Sequence, residues 1–283
     1  MKICVFLHVF YMEMLDEMLD YLANLSENKE IEYDLLVTMP HVDKTITNRI
    51  YAFKDNAQII QVANRGYDVA PFLYALKQVD VTQYDYIIKM HTKRTLSHPA
   101  YLPSCTFRGD EWRNKLLEFM SEPSHIAKAI RCFEKCPDVG MVSAAELIIP
   151  DGKEDTQASA KAAKIIRGMG LPLRQRRFVA GTMFMARAKL FRLLKMLPYE
   201  AEDFEEFNPS HQGGTLAHAL ERVLGMMIYA QGYKITSYNN QKIRFTVKAT
   251  LYKIRNFLFY KRINSKNKLH IKICKIPVYS KQL

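Results

Sequence analysis

The chain contains no run of about 18 uncharged apolar residues, so nothing in it reads as a membrane span. Cysteine is scarce and irregular: Cys4, Cys105, Cys132, Cys136 and Cys274 make no disulfide framework. The close pair Cys132 and Cys136 has no second Cys/His pair at a spacing that would complete a structural zinc site. Reduced thiols in a cytosolic protein are the expectation. There is no internal repeat and no low-complexity run, which argues against disorder. The N-terminal MKICVFLHVFYMEML has a lysine before an apolar stretch. It is short, interrupted by His8 and free of a small-residue cleavage site, so it reads as a buried first strand rather than a signal peptide. Acidic residues are missing from one region altogether. From Gln241 to the end there are twelve Lys or Arg and no Asp or Glu. Taking those twelve from the 41 basic residues leaves 29, against 29 acidic ones, in residues 1–240. The body is therefore neutral and the whole excess of +12 sits in the tail. A neutral body has no groove-sized basic face for nucleic acid, whereas a basic tail suits local contact with an anionic surface.

With 48% apolar residues over 283 positions, the chain can bury a substantial core. Lys2–Val9 is a short apolar run of the kind found in strands covered on both faces. Met12, Leu15, Met18, Leu19 and Leu22 follow at helical spacing. Strands are expected over Tyr33–Thr38, Ala57–Val62 and Tyr84–Met90, with helices over Lys44–Phe53 and Val69–Val79, Pro71 being tolerated in a first turn. This alternation predicts an α/β, doubly wound parallel sheet whose ligands bind at the carboxyl ends of the strands, in the loops after Val9, Thr38, Val62 and Met90. Further on, Asp110–Met120, Ser124–Lys135 and Gly214–Tyr229 read as helices. Val139–Ala144, Arg177–Ala186 and Tyr233–Ser237 read as strands. Residues 145–175, polar and weakly patterned, are expected to be a lid or acceptor loop.

Four constellations can carry chemistry. Asn64-Arg65-Gly66-Tyr67-Asp68 joins a strand to a helix: Gly66 permits positive φ and close approach, the helix start offers free N–H groups to a phosphate, and Asp68 either caps the helix or accepts bonds from a base or ribose. Lys89, His91, Thr92, Lys93 and Arg94 cluster at a strand's carboxyl end, where they make either an anion-binding mouth or a solvated turn. Ala180-Gly181-Thr182 interrupts an apolar strand, as a bulge or close approach does. His218 and Glu221, three apart on one helix face, make either a surface hydrogen bond or, in Glu221, a general base. Asp110, Glu111, Asp203 and Glu205 are other acids within possible reach.

NRGYDVAPFL, YDYIIKMHTKRT, EWRNKLL, AGTMFMAR and GTLAHALERVLG occur in this order. Together they resemble the rhamnan synthesis protein F family of polysaccharide-assembly glycosyltransferases, over roughly residues 1–238. The resemblance implies a GT-A-like, Rossmann-type sheet with helices on both faces and a nucleotide-sugar donor, typically dTDP-L-rhamnose. It also implies a growing lipid-linked glycan as acceptor. It places His8, Thr38, Asn64, Arg65, Gly66, Asp68, Lys89, Thr92, Lys93, Gly181 and Thr182 on the donor side, with Glu221 and His91 as the catalytic candidates. Where many GT-A enzymes carry an Asp-x-Asp metal motif, this chain has His91-Thr92-Lys93. The favoured expectation is therefore transfer without a metal cofactor, a divalent cation remaining an open alternative. Met185 stands where the family often has a larger aromatic residue, which leaves the sugar undetermined.

The reading that follows is a transferase domain over 1–240, inversion being the simplest stereochemistry, and a basic amphipathic tail over 241–283. In that tail Phe245, Leu251, Tyr252, Ile254 and Leu258 can share a helix stripe on an anionic membrane, and KLHIKICKIPVYSK alternates like a strand. The expected location is the cytoplasmic face of the plasma membrane, peripherally attached. The alternative is a non-catalytic scaffold or glycan-binding subunit of an assembly complex.

Overall fold

The computed structural model describes residues 1–151, 156–206, 214–239, 254–255, 257–263, 268–274 and 276–282. Strands β1 (Lys2–His8), β2 (Glu32–Met39), β3 (Gln58–Gln61) and β4 (Tyr86–His91) alternate with helices α1 (Leu15–Ser26), α2 (Lys44–Phe53) and α3 (Val69–Lys77). After β4 come a hairpin of β5 (Leu96–Tyr101) and β6 (Thr106–Gly109), helices α4 (Glu111–Leu117) and α5 (Pro123–Lys135), and β7 (Val139–Ser143). Next are β8 (Ile148–Pro150), α6 (Thr156–Gly168), β9 (Arg177–Val179), β10 (Phe184–Arg187), α7 (Leu216–Ala230) and β11 (Lys234–Ser237). The main sheet has the order β11-β7-β10-β4-β1-β2-β3. Six of its strands run in one direction; β10 opposes both of its neighbours, β4 and β7.

Helices cover both faces. Strand β1 is buried almost end to end, as its unbroken apolar run requires. Side chains alternate along β4, so Lys89 points to one face and Tyr86 to the other. On the first face Phe72 of α3 meets Phe6 edge-on at 5.1 Å and lies under Lys89 Nζ at 5.5 Å. On the opposite face Phe133 of α5 packs against Tyr86 at 4.6 Å.

Residues 145–175 are not a loop. They hold β8, which pairs antiparallel with β9, and the 13-residue helix α6 packed on α7. The buried apolar residues of α6 are Ala158, Ala162, Ala163, Ile165 and Ile166; alanines at three of these five positions give helical spacing but little hydrophobic contrast. Nor is Arg177–Ala186 one strand. The chain turns at Gly181 and Thr182, with φ of +80° and +54°, and Thr182 N donates to Val179 O at 3.2 Å. Thus β9 joins β8 while β10 enters the main sheet. The β5–β6 hairpin is an element that sequence reasoning missed, since Pro99 argues against a strand.

In the tail, Phe245, Leu251 and Tyr252 lie outside the described residues. Ile254 and Leu258 are exposed. A three-stranded antiparallel sheet of β12 (Phe259–Ile263), β13 (Lys268–Ile273) and β14 (Ile276–Gln282) follows, so a helical stripe does not continue past Leu258.

Candidate active site

The register of the parallel strands builds one side of the site. His8 is opposite Thr38 on one neighbour and opposite His91 on the other. Three polar side chains therefore stand in a row at the carboxyl edge of the sheet, all on the face that bears Lys89. His8 Nδ1 and Thr38 Oγ1 share a hydrogen bond of 3.0 Å. Burial, with a smaller contribution from Lys89, pushes His8 down to about 4 and His91 to about 3, against the opposing pull of Asp68. Both imidazoles are neutral at physiological pH and act as hydrogen-bonding groups rather than charges.

Behind that row lies a buried ion pair. Lys89, with 2% of its side chain exposed, donates to Asp68 Oδ2 and, at 2.7 Å, to Thr182 Oγ1; the Thr182 hydroxyl in turn donates to Asp68 Oδ2. His91 Nδ1 is 3.5 Å from the same oxygen and makes no hydrogen bond. Burial alone would raise the Asp68 carboxyl. The positive charges of His91 (in acid) and Lys89, with the bonds from Lys89 and Thr182, outweigh it and hold the carboxyl well below its usual range. Burial pushes Lys89 down from the ordinary lysine range, while Asp68 pulls it back. Because its carboxylate is committed to Lys89, Asp68 makes no side-chain cap on α3. All of these contacts fall on Oδ2.

The second half of the chain closes the site. Glu221, on α7, accepts a hydrogen bond from Gly181 N at 2.9 Å, and burial raises its carboxyl above the usual range despite Gly181 and Arg222. Lys93 is half-buried and its side chain has no ion-pair or hydrogen-bond partner among the described residues, while its backbone oxygen accepts from Arg113 Nη1 at 3.3 Å; its charge acts on Glu221, Lys89 and His91 alike. Thr92 holds the loop after β1: its hydroxyl accepts from Phe10 N at 3.0 Å and Tyr11 N at 2.9 Å.

Two expected donor residues go elsewhere. Arg65 pairs with Glu206 at 2.7 Å and donates to Phe204 O at 3.1 Å, while Asn64 is exposed. Gly66, with φ +66°, makes a close approach to protein: a Cβ there would lie 2.5 Å from Ala70 and from Phe204. The competing acids are also occupied. Asp110 binds Thr95 and Arg113, and Glu111 binds Arg108 N at 2.8 Å. Asp203 completes a capping box, and Glu205 caps α7 at Leu216 N. A network missed in the sequence supports α7: Asp151, fully buried, holds Arg222 at 3.1 Å and Arg176, and accepts from Ser159. No local spacing marks it, since its members come from residues 151, 159, 176 and 222.

The match to the family model for rhamnan synthesis protein F runs over residues 1–233. The chain belongs to this family. The uncharacterized protein WxcX of Xanthomonas campestris pv. campestris, in two strains, is 29% and 28% identical over 241 residues, or 83% of this chain. The chain spans about a third of the length of these curated relatives, 32% in each case. Among solved structures, Staphylococcus aureus TarS 1–349 in complex with UDP gives a TM-score of 0.45 at 12% identity, covering 90% of this chain and 66% of that one. The mannosyltransferase PcManGT of Pyrobaculum calidifontis, in complex with GDP-Man and Mn²⁺, gives 0.39 at 11% identity, covering 90% and 62%.

The described residues offer no ready ligand set for a divalent cation. No group of three His, Cys, Asp or Glu side chains converges among the described residues.

Proposed function

We propose that the chain is a glycosyltransferase domain, over residues 1–240, that moves rhamnose from dTDP-L-rhamnose to a lipid-linked glycan. The observation that carries this reading is the convergence of one partly buried, raised carboxylate (Glu221), one cation with an unpaired side chain (Lys93) and a neutral imidazole (His91) at the carboxyl edge of β1 and β4, in a chain of the rhamnan synthesis family. Ligands of open α/β sheets bind at such an edge.

The ionised Glu221 takes the proton of an acceptor hydroxyl. The acceptor oxygen bonds to the anomeric carbon as the carbon–oxygen bond to the diphosphate breaks, and the electron pair leaves on the diphosphate. A single such displacement inverts the configuration. A raised carboxyl makes a stronger base than an ordinary glutamate, and Gly181 N–H fixes its orientation. Lys93 offsets the charge that develops on the leaving diphosphate, with a hydrogen bond from neutral His91. Lys89 is already neutralised by Asp68, so its part is to hold Asp68 and Thr182 in place. Asp68 Oδ1, outside that network, is left to accept from the donor's ribose or base.

The basic tail, residues 241–283, would hold the enzyme on the anionic cytoplasmic face of the plasma membrane. Of the fourteen large apolar side chains exposed among the described residues, eight lie between Ile254 and Tyr279, interleaved with Lys and Arg as an interfacial segment requires. No helix among the described residues is long and apolar enough to cross a membrane.

Calorimetric titration with dTDP-L-rhamnose, dTDP, UDP and GDP, with and without EDTA, tests the reading. Selective binding of the dTDP-sugar, indifferent to EDTA and weakened in Lys93→Ala, is the expected result. Strict dependence on Mn²⁺ or Mg²⁺ would sink the metal-free mechanism. A folded sample that binds none of the four would overturn the transferase assignment itself.

A further inference from the structure

A cleft of about 440 Å³ lies between α5 and β11, the outermost strand of the main sheet. Lys128, Arg131 and Lys135 line it from α5. At about 100° per residue these three fall within about 60° of one another on the helix surface. All three are exposed, and none has an ion-pair or hydrogen-bond partner among the described residues. Glu134 does not line the cleft, although it lies about 60° from Arg131 on the helix surface. Across the cleft Lys234 of β11 adds a fourth cation, whose charge is met by Asp138 at 2.7 Å. No carboxylate lines the cleft. Like charges three and four apart on a helix repel and destabilise it, and an anion from outside would relieve this face.

We infer that this cleft binds the phosphate of an anionic phospholipid headgroup, so that the body as well as the tail rests on the membrane. Its wall ends at Tyr238 and Asn239, immediately before the segment that carries twelve cations and no acid. Two cationic surfaces joined at that point repel each other in solution. Both are satisfied at once by one anionic plane, a geometry that a single soluble phosphate does not supply. Strand β11 runs in the direction of β1 and β4, so the Asn239 end of the cleft is at the same edge of the sheet as His8 and His91. The inference extends the membrane contact proposed for the tail and does not depend on the transferase reading.

The test is co-sedimentation of the full chain with vesicles of phosphatidylcholine alone or phosphatidylcholine doped with phosphatidylglycerol. Each surface cation contributes roughly fivefold to partitioning. The triple substitution Lys128→Ala, Arg131→Ala, Lys135→Ala should therefore weaken binding to the doped vesicles about a hundredfold. A control triple at exposed Lys29, Lys44 and Arg108 should stay near the unsubstituted protein. If the α5 variant partitions like the unsubstituted protein, the tail acts alone and the inference fails while the tail's role survives. If the unsubstituted protein does not prefer the doped vesicles, both fall. Stoichiometric binding of inorganic phosphate, or tighter binding of duplex DNA than of vesicles, abolished by the same three substitutions, would also overturn it.

Discussion

The first 91 residues and the 148 that follow build the two sides of one site by different means. In the first part, strands and helices alternate and the parallel register alone lines up Thr38, His8 and His91. In the second part, Gly181, Thr182 and Glu221 reach the site through a tight turn and a helix. Lys89 and Asp68 hold Thr182 across the two parts, and within the second part Gly181 N–H holds Glu221. The contrast teaches that hydrophobic periodicity can place one half of a site, whereas the other half needs long-range hydrogen bonds.

The comparison is broken most severely at the buried ion pair. Asp68→Ala strands the Lys89 charge and should cost about 3–5 kcal/mol in urea unfolding. The double substitution Asp68→Ala, Lys89→Met should recover much of that loss, because no unpaired charge then remains buried. Equal losses in the single and double variants would mean that the carboxylate matters for its shape rather than its charge. Gly181→Ala should cost about 1–3 kcal/mol, since φ is +80° and the added Cβ would lie 2.5 Å from Leu116 and 3.1 Å from Trp112. An unchanged midpoint would show that the turn between the two sheets is pliable.

A further effect, graded by pH, belongs to the first part. Folded His8 and His91 titrate at about 4 and about 3, below the 6.5 of an unperturbed imidazole. Below pH 6.5 the unfolded chain takes up protons that the folded protein refuses, so stability falls as the pH is lowered. Each histidine contributes about 1.4 kcal/mol per pH unit, over a window that ends at about 4 for His8 and about 3 for His91. His91→Asn should roughly halve the slope between 6.5 and 4 that the two share. A flat stability profile across that range would contradict the buried, neutral state of both rings.

Much of the first part was legible in the sequence for a physical reason. Lys2–Val9 and the fourth strand are continuous apolar runs, and α2 was expected over the very residues it occupies, Lys44–Phe53. The α/β class followed from their alternation. The second part was less legible. Helix α6 packs through alanines, β5 and β6 are short and carry Pro99, and the turn at Gly181 reads locally as a broken strand. Within the site, Gly66 was singled out because of its type, and its positive φ is real, but its neighbour is Phe204. Arg65, placed on the donor side by the resemblance, is spent on Glu206. Contacts across more than a hundred residues, such as Asp68 with Thr182, leave no periodic trace.

The most direct measurement is dTDP release from dTDP-L-rhamnose, presented with membranes that bear the lipid-linked glycan, by the unsubstituted protein and by Glu221→Gln. The account predicts donor binding intact in the variant and turnover lower by about 10²–10⁴-fold. It also predicts a rate for the unsubstituted protein that falls on acidification through an apparent pKa above the 4.5 of an ordinary glutamate, a limb that the variant lacks. Turnover undiminished in Glu221→Gln would contradict the account.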